Sequence, residues 1–232
     1  MLVIAHRGAS GHRPENTLPA YELAIEMRAD MIEIDLHKTK DGRIAITHDA
    51  ELFGLGEIAS HSLDELRSLD MGNGEKIPVL DEVLDGFASR IPFNLEIKWG
   101  AAGDYPGLEQ QALDALRERG LGADIVFSCF RRSVLARLRE LDSKARLALL
   151  VSPGGASAPL ATALEHAEAL GCEGLNPHWS QVDKDLVERA HGVGLAVHVY
   201  TVNEVEAMRR LLDLGVDGLF TNFPDRLRKL LD

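Results

Sequence analysis

Two carboxylates in the run Met31–Leu36 have the spacing of a functional pair, because Glu33 and Asp35 alternate with aliphatic residues. Successive side chains of a β-strand point to opposite faces, so both carboxylates share one face and the aliphatic residues share the other. If the aliphatic face packs against helices, the two acids point into an enclosed interior. Two charges in that position are costly unless another group compensates them.

A second short run, residues 93–98, adds a third acid. Its alternation places Asn94, Glu96 and Lys98 on one face. Like charges within a few Å raise each other's pKa, and a bound divalent cation is the usual remedy. Because all-oxygen ligands favour Mg²⁺ or Ca²⁺ over Zn²⁺, we predict that the three acids bind one of these cations. The alternative is a buried ion network in which the acids pair with bases such as Lys98.

Two histidines add candidate acid and base groups. His6 and Arg7 end the first apolar run, and His48 precedes Asp49 in a later segment. Arginine offers a planar fork that matches phosphate oxygens, and histidine titrates near neutral pH. An acid and a base on opposite sides of one reaction centre would then be available.

The composition excludes several classes of protein. The 232 residues include 25 Lys and Arg against 37 Asp and Glu, for a net charge of −12, and 45% are hydrophobic. These values are typical of a globular chain, and the acidic balance argues against nucleic acid as a partner. Two cysteines give no disulfide framework, and no apolar segment approaches the ~18 residues of a membrane helix. The start of the sequence has no signal-peptide pattern, so we expect a cytoplasmic protein without a membrane partner.

Short apolar runs alternate with segments of helical periodicity throughout the chain. The predicted strands are Leu2–Ala5, Met31–Leu36, Phe93–Ile97, Ile125–Cys129, Arg146–Val151, Gly174–Asn176, Ala196–Tyr200 and Gly218–Thr221. The predicted helices include Val79–Ala88 and Ala158–Leu170. Eight such units in one α/β chain predict a single (β/α)8 TIM-like barrel domain over residues 1–232. An open doubly wound sheet is the alternative, but no GxGxxG follows the first strand.

The interval from about residue 38 to 77 is too long for a plain loop between a strand and a helix. It contains the turn pair Asp41-Gly42, the strand-like run Arg43–Thr47 and several glycines. We interpret it as a small insertion after strand 2. An insertion at the carboxyl end of a barrel strand lies at the mouth, where the loops of this fold build the site.

In these motifs and their order, the chain resembles the glycerophosphodiester phosphodiesterase family. The motifs are His6-Arg7-Gly8, Pro14-Glu15-Asn16-Thr17, Glu33-x-Asp35, His48-Asp49, Leu95-Glu96-Ile97-Lys98, Tyr200-Thr201-Val202-Asn203 and Asp217-Gly218-x-x-Thr221-Asn222-x-Pro224. The resemblance implies a barrel enzyme that hydrolyses glycerophosphodiesters, small molecules of lipid and glycerol metabolism, to glycerol 3-phosphate and an alcohol. It assigns acid/base roles to His6 and His48, metal ligation to Glu33, Asp35 and Glu96, and phosphate contacts to Arg7 and Lys98.

Two departures from the family pattern bear on the alcohol that is released. The Arg-Thr-Thr stretch that usually follows the His-Asp pair is absent, and Tyr200 stands where the family commonly has tryptophan. Tyr200 would still supply an aromatic wall for substrate, with a hydroxyl as an added polar group. Other candidates for the same rim are Glu15, Asn16, His178 and Asn222.

Several alternatives remain open from the sequence. The nucleophile is either water or the substrate's own glycerol 2-hydroxyl, through a cyclic phosphate, and either histidine can be the acid. A metal-independent phospholipase C-like lyase and a non-catalytic phosphate-binding barrel are the competing functions. The three acids argue against the first, and the presence of both histidines argues against the second. The preferred alcohol, the physiological metal and the oligomeric state are not determined.

Overall fold

The computed structural model describes residues 1–52, 54–153 and 160–232. In these residues, eight parallel strands alternate with eight main helices. The strands are β1 (Leu2–His6), β2 (Met31–Lys38), β3 (Phe93–Ile97), β4 (Ile125–Cys129), β5 (Arg146–Val151), β6 (Gly174–Pro177), β7 (Ala196–Val199) and β8 (Gly218–Thr221). The helices are α1 (Leu18–Glu26), α2 (Leu80–Phe87), α3 (Leu108–Glu118), α4 (Arg132–Leu141), α5 (Leu160–Ala169), α6 (Lys184–Gly192), α7 (Val205–Leu214) and α8 (Pro224–Leu231).

The parallel strands follow one another around a closed barrel. Each strand pairs with the next one in the chain, and β1 pairs with both β2 and β8. The predicted (β/α)8 barrel with an insertion after strand 2 is therefore confirmed. Closure places the carboxyl ends of all the strands at one mouth, where the candidate site residues lie.

Some predicted element boundaries match the observed ones, and the others differ by one or two residues. β2 extends to Lys38, because its end pairs with an antiparallel strand of the insertion. α2 begins at Leu80, because the Val79 amide donates to the Glu82 carboxylate and so precedes the first turn. α5 begins at Leu160 in the described residues, and the predicted start at Ala158 lies outside them.

The apolar core of the barrel has two parts, as the strand alternation predicts. Ile32, Ile34 and Leu36 of β2 are fully buried in the large cluster between the barrel and its helices. A second cluster fills the barrel interior below the mouth, with Ile4, Met31, Val126, Ala148 and Phe220 as its buried members. The interior is packed, so the polar residues above it form a pocket and not a channel. In the described part of the chain, no helix has the length and apolarity to cross a membrane.

The insertion between β2 and α2 starts as a hairpin. Gly42 has a φ of 80° in the turn, and the strand Ile44–Ile46 returns antiparallel to the end of β2. A short strand pair, Glu51–Leu52 with Gly56–Glu57, and the short helix Leu63–Leu66 follow. A small apolar cluster that includes Ile58, Leu66 and Ile77 supports the insertion. The hairpin brings the chain back to the mouth directly before His48.

Candidate active site

Three acids meet where β1, β2 and β3 end at the mouth. In the strand register, Glu33 lies beside His6 of β1 and Asp35 lies beside Glu96 of β3. All three carboxylates are buried, and one oxygen from each lies within 4.8 Å of the others. The structure therefore brings together the trio that the strand alternation predicts. From here on these residues are called the acidic trio.

Two cations compensate part of this charge. Lys98 Nζ lies 2.7 Å from a Glu96 oxygen and 3.1 Å from Asp35 Oδ1, and Arg7 Nε lies 3.2 Å from Asp35 Oδ2. With all three carboxylates ionised, these two cations would leave one negative charge uncompensated. Lys98 and Arg7 hold the pKa of Asp35 below its usual range in spite of burial. The neighbouring acids raise the pKa of Lys98.

Glu33 has no such counter-charge at hydrogen-bonding distance in the described residues. Its nearest basic side-chain nitrogen is His6 Nε2 at 3.9 Å, and its Oε1 is buried without a hydrogen-bond partner among those residues. Burial, followed by repulsion from Asp35, raises the pKa of Glu33 well above its ordinary value. A buried, unpartnered carboxylate oxygen beside two more carboxylates fits a hard divalent cation, which takes oxygen ligands.

His6 is oriented by the other end of the chain. Its Nδ1 lies 2.8 Å from Asn222 Oδ1, just beyond β8. An amide oxygen only accepts hydrogen bonds, so Nδ1 carries the hydrogen and Nε2 keeps its lone pair toward the acidic trio. Burial, followed by the charge of Arg7, lowers the pKa of His6 to about 3. The backbone N–H of Asn222 donates to Asn203 Oδ1 at 2.9 Å, and this bond fixes the segment after β8 that carries Asn222.

His48 lies at the mouth beside the end of β2, on the loop after the hairpin of the insertion. Its Nδ1 lies 2.8 Å from the exposed carboxylate of Asp49, and its side chain is 37% exposed. Burial, followed by the charge of Lys98, lowers the pKa of His48. Both candidate acid/base residues line one pocket. The environment of each lowers its pKa and so favours the neutral imidazole.

The first loop supplies a second layer of contacts. Asn16 is buried and donates from Nδ2 to Asp35 Oδ2 at 2.8 Å. Glu15 is half-exposed and accepts two hydrogen bonds from Arg7 Nη1, at 2.9 and 3.1 Å. Arg7 and Asn16 have φ values of 57° and 56°, a conformation that non-glycine residues adopt mainly where surrounding contacts enforce it. Glu15 thus contacts Arg7 and is not part of the acidic trio.

Aromatic rings form one wall of the mouth. Phe130 contacts Trp99 and Tyr200 edge to face, with ring centroids 6.5 and 5.8 Å apart. The Tyr200 hydroxyl donates to the Val151 carbonyl at 2.8 Å, so it is tied to the backbone and is not a free polar group. His178 packs against Tyr200 at the rim and contacts Ser180 through Nδ1.

A cavity of about 130 Å³ joins these groups. Its lining includes His6, Arg7, Glu33, His48, Glu96, Lys98, Phe130 and Tyr200. A larger cavity of about 1030 Å³ lies between α4 and α5 and has a mostly apolar lining. We take the smaller cavity as the candidate site, because acids, histidines and cations converge there. Asn222 and Asn16 are not in the lining but hydrogen-bond to His6 and Asp35, and His178 lies beside the cavity.

The sequence analysis did not identify His37 as part of this region. His37 is buried, with Nδ1 2.8 Å from the Tyr105 hydroxyl and Nε2 3.1 Å from the His48 carbonyl oxygen. Burial lowers the pKa of His37 to about 4. The sequence did offer one signal for His37, because strand alternation places it on the same face as Glu33 and Asp35.

Comparison with known proteins gives a consistent result. Residues 6–226 match the family described as "Glycerophosphoryl diester phosphodiesterase family". A glycerophosphodiester phosphodiesterase of Bacillus subtilis is 32% identical over 99% of this chain and 86% of its own length. The enzyme of the same name from Caldanaerobacter subterraneus is also 32% identical, over 99% of this chain and 97% of its own.

Solved structures share the same architecture. An Oleispira antarctica phosphodiesterase, in complex with the product sn-glycerol-3-phosphate, is 30% identical with a TM-score of 0.85, over 99% of this chain and 96% of its own. A putative glycerophosphoryl diester phosphodiesterase of Silicibacter pomeroyi is 26% identical with a TM-score of 0.90, over 98% of this chain and 92% of its own.

Proposed function

The chain belongs to the glycerophosphoryl diester phosphodiesterase family, and from that premise we propose that it hydrolyses glycerophosphodiesters with a divalent cation and two histidines. It is a phosphoric diester hydrolase, and the products are sn-glycerol 3-phosphate and an alcohol. The observation that carries the proposal is the convergence of Glu33, Glu96, His6 and His48 on one cavity of about 130 Å³, with the buried Asp35 carboxylate within 4.8 Å of the other two acids.

The acidic trio would hold the cation, Mg²⁺ or Ca²⁺. When bound, the cation would act as a Lewis acid that offsets the negative charge of the phosphate during attack. Arg7 and Lys98 neutralise the remaining charge of the trio and present cations to the same oxygens. Because only these two side chains carry formal positive charge in the cavity lining described here, they are the protein's contribution to phosphate binding.

His6 and His48 divide the proton transfers. One takes the proton of the nucleophile, and the other gives a proton to the departing alcohol oxygen. Both have a pKa below the ordinary value of histidine, so each is neutral in the free protein. The histidine that acts as the base needs this neutral form, and the one that acts as the acid needs a nearby negative charge to become protonated. A bound phosphodiester anion supplies that charge. Tyr200 and Phe130 form the wall beside the substrate and exclude water from that side.

The experiment is a product assay. The protein is freed of metal with EDTA and incubated with glycerophosphocholine, glycerophosphoethanolamine, glycerophosphoglycerol and glycerophosphoinositol, with and without added Mg²⁺ or Ca²⁺. We expect metal-dependent release of glycerol 3-phosphate from at least one substrate. Undiminished glycerol 3-phosphate release in EDTA would overturn the metal requirement. A cyclic glycerophosphate as the final product in EDTA would indicate the metal-independent lyase, and neither product under any condition would indicate a barrel that binds phosphate without chemistry.

A further inference from the structure

The side chain of His48 is weakly held by its own contacts. Its hydrogen-bond partner, Asp49, has a side chain that is 73% exposed, so solvent competes for that bond. The backbone around His48 has firmer attachments. The Thr47 amide donates to the Asp35 carbonyl at 3.2 Å, and the His48 carbonyl accepts from His37 Nε2 at 3.1 Å.

His37 is in turn fixed by Tyr105, which follows the hairpin Trp99–Asp104 after β3. The Tyr105 hydroxyl lies 2.8 Å from His37 Nδ1, and the two rings contact edge to face at 5.6 Å. Both residues are buried. A carbonyl oxygen only accepts, so Nε2 of His37 carries a hydrogen, and the Tyr105 hydroxyl donates to Nδ1.

The hairpin that precedes Tyr105 is also tied to the insertion. The Ala101 amide donates to Glu57 Oε1 at 2.9 Å. Gly100 is tightly enclosed, because a Cβ there would lie 2.6 Å from Glu57 Oε1 and 3.2 Å from the Tyr105 hydroxyl. Burial, followed by the charge of Glu57, raises the pKa of Tyr105 to about 12, so its hydroxyl stays a donor at neutral pH.

We propose that His37 and Tyr105 are positioning residues for His48, holding its backbone carbonyl so that the imidazole stays over the acidic trio. The inference rests on the proposed acid/base role of His48. In that arrangement, the loop after β3 controls the geometry of a residue on the insertion after β2. Small misplacements of a proton-transfer group lower turnover strongly while leaving substrate binding nearly unchanged.

The test measures kcat and KM on the glycerophosphodiester identified by the product assay, together with the Tm of each variant. We expect His37→Ala to lower kcat by about 10- to 100-fold with KM within about threefold of wild type. His37→Gln should recover most of this loss, because its side-chain amide can donate to the same carbonyl. Tyr105→Phe removes only the hydroxyl and should lower kcat less than His37→Ala does.

A matched control is His61→Ala. His61 lies in the same insertion and also contacts a backbone carbonyl, that of Glu57, at 3.0 Å, but its side chain forms no hydrogen bond with His37, Tyr105 or His48 themselves. We expect its kcat within about twofold of wild type. An equal loss of kcat in this variant would overturn the inference, because the effect would then be a general loosening of the insertion.

A double-variant cycle separates the inference from its premise. If His37 acts through His48, His37→Ala causes no further loss of kcat in a His48→Ala background. A full additional loss there, or wild-type kcat in both His37→Ala and Tyr105→Phe while His48→Ala is impaired, would overturn the positioning role. Wild-type kcat in His48→Ala alone would instead overturn the proposed function of His48.

Discussion

His6 and His48 differ in how they are held, although both have a lowered pKa. His6 is fixed by Asn222 and nearly enclosed, whereas the side chain of His48 is 37% exposed beside Asp49. Both line the cavity at the mouth, above the apolar residues that fill the barrel interior. Their removal should therefore affect chemistry much more than folding.

We expect His6→Ala and His48→Ala each to lower kcat by at least about 100-fold, with a Tm near that of wild type. The measurement is the rate of glycerol 3-phosphate release at saturating substrate and metal. His191→Ala is the matched control, because His191 forms the same kind of pair with Asp217 at 2.8 Å, away from the cavity. Turnover near wild type in either site variant would remove its acid/base role.

Glu33 is the member of the acidic trio without a cation partner among the described residues, so it is the most informative one to neutralise. We expect Glu33→Gln to weaken Mg²⁺ or Ca²⁺ binding by at least about tenfold in calorimetric titration. The free energy of unfolding without metal should stay the same or rise, because a buried like charge is removed.

Glu109→Gln is the control for that titration. Glu109 is also a buried glutamate, but it pairs with Arg137 outside the acidic trio. Its substitution should leave metal affinity unchanged while lowering stability. Unaltered metal binding in Glu33→Gln would contradict the assignment of the trio as the metal site.

The loop between β1 and α1 shows how a turn sets the position of a site residue. Gly8 has a φ of 80°, and a Cβ at that position would lie 2.7 Å from the Ala20 backbone of α1. The close approach of loop and helix places Arg7 over Asp35. A glycine is required there both by conformation and by space.

We expect Gly8→Ala to lower the free energy of unfolding by more than Gly42→Ala does. Gly42 has the same φ of 80° in the hairpin turn, but nothing lies within 4 Å of its added Cβ. Gly42→Ala therefore measures the backbone strain alone, about 1 to 2 kcal/mol. Urea unfolding of both variants gives the difference, and equal losses would show that the loop moves away from α1 at little cost.

Element boundaries and site loops were not equally predictable from the sequence. The strands Phe93–Ile97, Ile125–Cys129, Arg146–Val151 and Gly218–Thr221 were predicted with the observed bounds, because a short apolar run determines a buried strand locally. The predicted strand Ala196–Tyr200 ends one residue earlier, at Val199, and the Tyr200 hydroxyl donates to the Val151 carbonyl. Both features depend on contacts with neighbouring strands, so the sequence alone could not predict them.

The two ends of the barrel differ in the groups they bury. The site occupies the mouth, and His198 lies at the other end, where it pairs in register with Gly218 at the start of β8. Burial lowers the pKa of His198 from its ordinary value of 6.5. The unfolded chain therefore binds a proton on this residue at a higher pH than the folded protein does.

The lowered pKa of His198 makes the free energy of unfolding depend on pH. His198 does not oppose folding above pH 6.5, where it is neutral in both states, and it destabilises the fold as the pH falls from 6.5 through its folded-state pKa. We expect His198→Gln to reduce the fall in the free energy of unfolding below pH 6.5, measured by urea unfolding at several pH values. An unchanged pH slope would show that His198 has the same pKa in the folded and unfolded states.

The sequence by itself determined the barrel, the insertion and the faces of its strands. Those features depend on alternation and periodicity over a few residues, which fixed Glu33 and Asp35 on one face. Only the tertiary structure decided which distant residues meet. Barrel closure brings Asn222 to His6, 216 positions away, and the fold of the loop after β3 brings Tyr105 to His37 of β2, 68 positions away. Such pairings depend on how strands and loops pack around the ring, which no local pattern encodes.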